Sequence, residues 1–143
     1  WLIICAMIFG ATMETTGLLK RITMPLTKYA KNTGSLITTT SGTCIFFNIT
    51  ASDQYLSIIV PGRMFADTYK EKGLPPEILS RTLEDSGTVT SVLIPWNSCG
   101  ATQAAILGVA TFTYLPYCFF NIISPFMTIL YAYLGVKIKK IKK

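Results

Sequence analysis

The chain contains no histidine. That removes Ser-His catalysis, the usual imidazole metal sites and the common pH switch. Charge is also scarce: 14% of the 143 residues are charged, where an ordinary soluble domain carries roughly 25%. Residues 1–13, 32–52 and 86–136 carry none at all. The last run is far longer than the roughly 20 residues that a membrane span needs. The four cysteines, Cys5, Cys44, Cys99 and Cys118, lie far apart in apolar segments without a C-x-x-C spacing. Neither a redox pair nor a zinc site is indicated, and small buried thiols are the simpler reading.

What is present is grease and a positive balance. Half of the residues are hydrophobic, the mean hydropathy is +0.46 and the net charge is +6. A disordered chain needs low hydrophobicity. A nucleic-acid binder needs a basic polar face, whereas these lysines and arginines flank apolar segments. A soluble domain of this size would spread charge over its whole surface. Composition therefore points to a membrane protein.

Four apolar segments follow from the charge pattern. Residues 1–19 open inside an apolar run, without the basic start and small-residue cleavage site of a signal peptide. They are expected to be the remaining part of a transmembrane helix whose start is missing. Lys20, Arg21, Lys28 and Lys31 follow with no acidic residue among them, which marks that loop as cytoplasmic. Segment two, residues 33–65, has a polar middle: Thr38, Thr39, Thr40, Ser41 and Thr43 surround Gly42. A break or hairpin tip is expected there, near residues 42–47. Residues 66–85 form the most polar stretch and read as an interfacial helix or solvated connector, with a loop at residues 73–75 and Pro76 in a first helical turn.

Segment three, residues 86–110, brackets Trp96-Asn97-Ser98 between Pro95 and Gly100. Proline kinks a helix by removing a backbone hydrogen bond, so a broken helix is expected. Segment four, residues 114–134, carries tyrosines at both ends, as a spanning helix does in its aromatic belts. The tail 137–143 holds five lysines and also reads as cytoplasmic. Two cytoplasmic ends with three segments between them require one segment to enter and leave on the same side. Segment two is the candidate. Re-entrant backbone is tolerated only where it is buried in protein or lines a watery cavity.

Several stretches resemble the NhaC family of sodium/proton antiporters, which includes sodium-linked malate/lactate exchangers. They are FGATMETTGLL (9–19), SDQYLSIIVPGRMF (52–65), SRTLEDSGTVTSVLIPWNSCGA (80–101) and YLPYCFFNIISPFMTILYAYLG (114–135). The third is the most specific, with an acidic pair, a hydroxyl-rich turn and a P-W-N break in order. The resemblance implies an all-α polytopic membrane protein of the ion-transporter type, with inverted repeats, a re-entrant hairpin and a broken helix. Residues 1–143 would be the C-terminal part of one transport domain in the inner membrane. Its partners would be the lipid bilayer, sodium, protons and the N-terminal remainder of the same transporter. No cofactor and no nucleic acid is expected. The implied function is sodium/proton exchange. The alternatives are exchange of malate, lactate or an amino acid, and more remotely an intramembrane protease or a structural subunit.

Sodium is a hard cation that prefers oxygen ligands, and a buried carboxylate can exchange it for a proton. The candidates follow from that chemistry. Glu14 lies inside an apolar segment, where an ionisable group costs roughly 3 kcal/mol; its bland alternative is hydration near the cytoplasmic end. Asp53 follows Asn48, Thr50 and Ser52, oxygen donors that an unwound segment would gather; a helix cap is the alternative. Glu84 and Asp85 precede Ser86-Gly87, where they would stand at a helix N-terminus and be favoured there as caps, or begin the ion site. Asp85 is the stronger candidate. Thr88 and Asn97 complete the proposed cation site, with the amide of Asn97 beside the Pro95 break. Arg63 is a candidate for binding a carboxylate substrate or, more simply, an anchor at the membrane edge.

Overall fold

The computed structural model describes residues 32–51 and 53–135, with isolated positions at 8, 12, 15–18 and 21. All regular elements among the described residues are helical. Helix α1 is Thr33–Thr50 and α2 is Gln54–Glu71. Helix α3, Pro76–Leu83, runs directly into a π-helical turn, Glu84–Thr88, and then into the short α4, Val89–Ser91. Helix α5 is Ser98–Leu107. Helix α6, Thr111–Tyr114, continues as a 3-10 turn, Leu115–Tyr117, before α7, Phe119–Leu134.

Helix α1 does not break at Gly42, contrary to the expectation from its polar middle. The reason lies in the hydroxyls themselves. Thr38, Thr39, Thr40 and Thr43 each donate to the carbonyl four residues back, at 2.8–2.9 Å. Such back-bonding pairs the hydroxyl within its own helix, so no backbone has to unwind. The chain turns instead at residues 51–53, and Asp53 caps the N-terminus of α2 by accepting from the amides of Tyr55 (2.8 Å) and Leu56 (3.2 Å).

The polar stretch 66–85 is also more regular than expected. Helix α2 reaches Glu71, Gly73 turns the chain with φ +66°, and Pro76 opens α3. Segment three therefore begins about ten residues before Ser86, because α3, the π turn and α4 form one continuous helical run. Glu84 and Asp85 sit inside that run and not at a helix N-terminus.

Four side chains cross-link the helices. The Tyr69 hydroxyl meets Thr40 (3.3 Å) and also engages Thr82. Asn48 meets Gly87 and Thr90. Asn121 on α7 donates to the Val89 carbonyl (2.8 Å) and Thr128 donates to Asp85. The run 76–91 is thus parallel to α1, and α7 is antiparallel to both. Leu36, Ile37, Cys44, Val60, Met64, Phe65, Tyr69 and Leu83 fill the space between α1, α2 and α3. Gly34 lets α1 approach α7: a Cβ there would lie 3.0 Å from the Tyr133 ring. Small residues at such contacts let helix backbones come close.

The outer face of α7 stays apolar and exposed, with Phe119, Phe120, Ile123, Phe126, Leu130 and Leu134. Among the described residues no single helix is long and apolar enough to cross a membrane. The pair 111–117 and Phe119–Leu134, bent by 58°, meets the requirement together.

Candidate functional site

The expected break in segment three is present. Helix α4 ends at Ser91, the chain turns through Pro95 and Trp96, and α5 starts at Ser98 with Asn97 as its cap. Asn97 accepts from the Cys99 amide at 3.1 Å. Gly100 is required there by space: a Cβ would lie 2.0 Å from the Ile94 carbonyl oxygen.

Around this break the side chains form a closed polar network. Asn48 and Asn97 are both fully buried. The Asn48 amide donates to the Gly87 carbonyl (2.7 Å) and to Thr90 Oγ1 (3.0 Å). Asn97 donates to the carbonyl and the side-chain oxygen of Asn48, each at 3.2 Å. Gln54 accepts from Ser91 (3.3 Å) and from the Cys99 thiol. The Trp96 indole donates to the Ile49 carbonyl at 2.8 Å. Helices α1, α2, α4 and α5 are thereby pinned to one another at the break.

Side chains take several of the carbonyls near the break. Gly87 O is held by Asn48, Val89 O by Asn121, and Val92 O by the Tyr114 hydroxyl (2.7 Å). A buried carbonyl without a partner is costly, and these amide and hydroxyl groups meet that need. In the conformation described, the break is a braced joint.

Asp85 stands apart from this network, in the π turn. Its carboxylate accepts from Thr128 on α7 and faces Arg81 at 3.4 Å. The Asp85 side chain is 22% exposed, against 57% for Arg81. The π turn packs against α1, α2 and α7. Turns of this kind occur frequently at functional sites. Glu84 accepts from Thr88 at 2.9 Å on the outer side of the same turn. An open cavity of about 630 Å³ lies against Pro76, Glu77, Ser80, Arg81, Glu84 and Asp85.

The structure thus gathers Asn48 and Asn97, and separately Asp85 and Thr128. Asp53 is engaged in capping α2, next to Gln54 and hence level with Ser91. Asp85 precedes Ser91 by six residues, about 9 Å along a helix axis. No hydrogen bond or ion pair joins the two aspartates among the described residues. Arg63 is half-buried on α2. Glu14 and Ser52 lie outside the described residues. Among the described residues no group of three or more Asp, Glu, Cys or His side chains converges as a metal site.

Gln54, Asn121 and Thr128 were not singled out from the sequence, and Tyr114 was read only as part of an aromatic belt. The amide of Asn121 within a charge-free run was a usable signal. Thr128 gave none, because a threonine hydroxyl within a helix can equally bond the carbonyl one turn back. Chemically, the π turn offers one partly buried carboxylate with a hydroxyl donor and a nearby cation. Such a group can hold either a proton or a hard cation.

The chain has relatives among known proteins. The profile of the Na+/H+ antiporter family matches residues 1–136. The chain is 40% identical over 139 residues to the Na(+)/H(+) antiporter NhaC of Alkalihalophilus pseudofirmus, covering 97% of this chain and 30% of the relative. It is 39% identical over 132 residues to the arginine/ornithine antiporter ArcD of Halobacterium salinarum, covering 92% and 27%. It is 34% identical over 127 residues to the malate-2H(+)/Na(+)-lactate antiporter of Bacillus subtilis, covering 89% and 27%. The chain therefore spans about 30% of the length of the curated relatives it matches. No solved structure matches it.

Proposed function

The chain belongs to the Na+/H+ antiporter family, and from that premise we propose that it forms part of a secondary transporter exchanging sodium for protons across the inner membrane. It carries no catalytic chemistry of its own, and the transported species are sodium and protons. The observation that carries the reading is Asp85: a partly buried carboxylate in a π turn, held by Thr128, in a chain 40% identical to an Na(+)/H(+) antiporter. A proton and a sodium ion compete for that one group. Only one can occupy it, so the two fluxes are coupled.

Other residues take supporting parts in this reading. Asn97 and Asn48 hold the broken helix in register with the π turn, and Thr88 positions Glu84. The remaining ligands come from the N-terminal remainder of the transporter. The α1–α2 hairpin enters and leaves on one side, the broken run 76–107 faces an inverted copy of itself, and the lysine tail stays cytoplasmic. Sodium-driven proton movement in vesicles holding the full-length transporter tests the function. A sodium gradient should acidify or alkalinise the lumen according to its direction. No proton movement at any gradient would refute the exchange.

A second reading draws on the relatives named for arginine/ornithine and for malate and lactate. In it the exchanged solute is a small carboxylate, with Arg63 as its partner. Repeating the assay with malate, lactate, arginine and ornithine separates the two: solute uptake linked to proton or sodium movement would favour the second.

A further inference from the structure

Two buried hydroxyls break the pattern that their neighbours follow. Thr40 donates to the Leu36 carbonyl, Ser57 to Gln54, Thr82 to Ile78, Thr90 to Ser86 and Ser91 to Thr88. Ser41 and Ser86 are fully buried too, yet their Oγ atoms have no hydrogen-bond partner among the described residues. An unpaired buried hydroxyl destabilises a fold, so two of them on elements packed against each other ask for a ligand.

Both lie between the same two ties. One tie between α1 and the run 76–91 passes through Tyr69, which engages Thr40 and Thr82. The other joins Asn48 to Gly87 and Thr90. Ser41 lies between these ties on α1, two turns before Asn48 and on the same face. Ser86 lies between them on the facing run, four residues from both Thr82 and Thr90. It belongs to the π turn and adjoins Asp85 in sequence.

We infer that Ser41 and Ser86 contribute neutral oxygen ligands to a small, hard monovalent cation held between α1 and the π turn, next to Asp85. The inference rests on the sodium/proton reading above and deepens it, since it names the inner ligands. Hydroxyl oxygens are hard donors, and Asp85 supplies the charge. Calcium sites and their like draw on several carboxylates, whereas the described residues bring no acidic cluster together here. One carboxylate and two hydroxyls suit a single positive charge. They also leave the carboxylate free to take a proton when the cation departs.

The test is radiolabelled sodium binding to the purified full-length transporter, with S41A, S86A and S41A/S86A beside the unsubstituted protein, and thermal unfolding of each. Each single variant should raise the sodium Kd about tenfold, the effect of losing one good ligand. Thermal stability should hold or rise, because an unpaired hydroxyl has gone. S86C, which keeps the shape but replaces hard oxygen with soft sulfur, should weaken sodium in the same way. A double variant that binds sodium within twofold of the unsubstituted protein overturns the inference and leaves the exchange reading intact. A loss of stability without a change in Kd overturns it too, by marking the hydroxyls as anchors for a bridging water. If the unsubstituted transporter binds no sodium, the exchange reading falls and takes this inference with it.

Discussion

Gly100→Ala sets two rules against each other. Alanine is favoured over glycine within a helix by about 1 kcal/mol, and Gly100 is the third residue of α5. Propensity alone therefore predicts stabilisation. Space predicts the opposite: the new Cβ would lie 2.0 Å from the Ile94 carbonyl oxygen and 2.9 Å from its carbon. Ordinary contact begins near 3.4 Å, so more than an ångström of overlap must be relieved. The obstacle is backbone, which has no rotamer to change. Relief must pull Ile94 from the start of α5 and strain the bonds from Asn97 N to Ile94 O (3.1 Å) and Ala101 N to Asn97 O (2.9 Å). Overpacking costs about 1–3 kcal/mol and a weakened hydrogen bond about 1 kcal/mol. After the propensity gain, a net loss of about 2 kcal/mol remains. Thermal unfolding of the full-length transporter in detergent measures it, with Gly42→Ala as the opposite case. Gly42 sits mid-helix with open space around its Cα, so alanine there should stabilise by up to about 1 kcal/mol. Gly100→Ala as stable as the unsubstituted protein would refute the braced joint. A destabilising Gly42→Ala would refute the unbroken α1.

Asn48→Ala strands the Gly87 carbonyl and takes one of two acceptors from the Asn97 amide, which keeps the Asn48 main-chain carbonyl; at about one to three kcal/mol for a stranded group, it should cost about 2 kcal/mol of stability, read by the same unfolding assay. Asp53→Ala should lose about 1 kcal/mol as a lost helix cap. Asp53→Asn, which still caps, should keep both stability and sodium affinity; a large loss of affinity would return Asp53 to the ion site. Arg81→Gln removes the cation that faces Asp85. Exposed pairs are worth about 0–1 kcal/mol, so sodium affinity should rise by no more than about fivefold in a sodium titration of transport.

Charge-free runs made the helical membrane character legible in the sequence, and Pro95 with Gly100 made the break legible. Both are local signals. The π turn was not legible, because Glu84–Thr88 carries no local mark of that geometry and its acidic pair with Ser86-Gly87 reads equally well as a helix start. Helix α1 misled for a related reason. Its threonines looked like material for a break, but hydroxyls can pair within the helix that carries them. Asp53 and Asp85 both carried the right chemistry. Only packing showed that one caps a helix while the other, six residues from the break, meets Thr128. Thr128 became visible only when α7 was seen to run antiparallel to the acidic turn.

The most direct measurement is sodium-driven proton movement in vesicles holding the full-length transporter with Asp85→Asn. The amide keeps the size of the carboxylate and can still pair with Thr128, but it cannot hold a proton or a sodium ion as an anion does. Coupled proton movement should vanish while expression, membrane insertion and thermal stability persist. Transport by Asp85→Asn with unchanged sodium affinity and pH profile would contradict the account and leave Asp85 as a packing residue of the π turn.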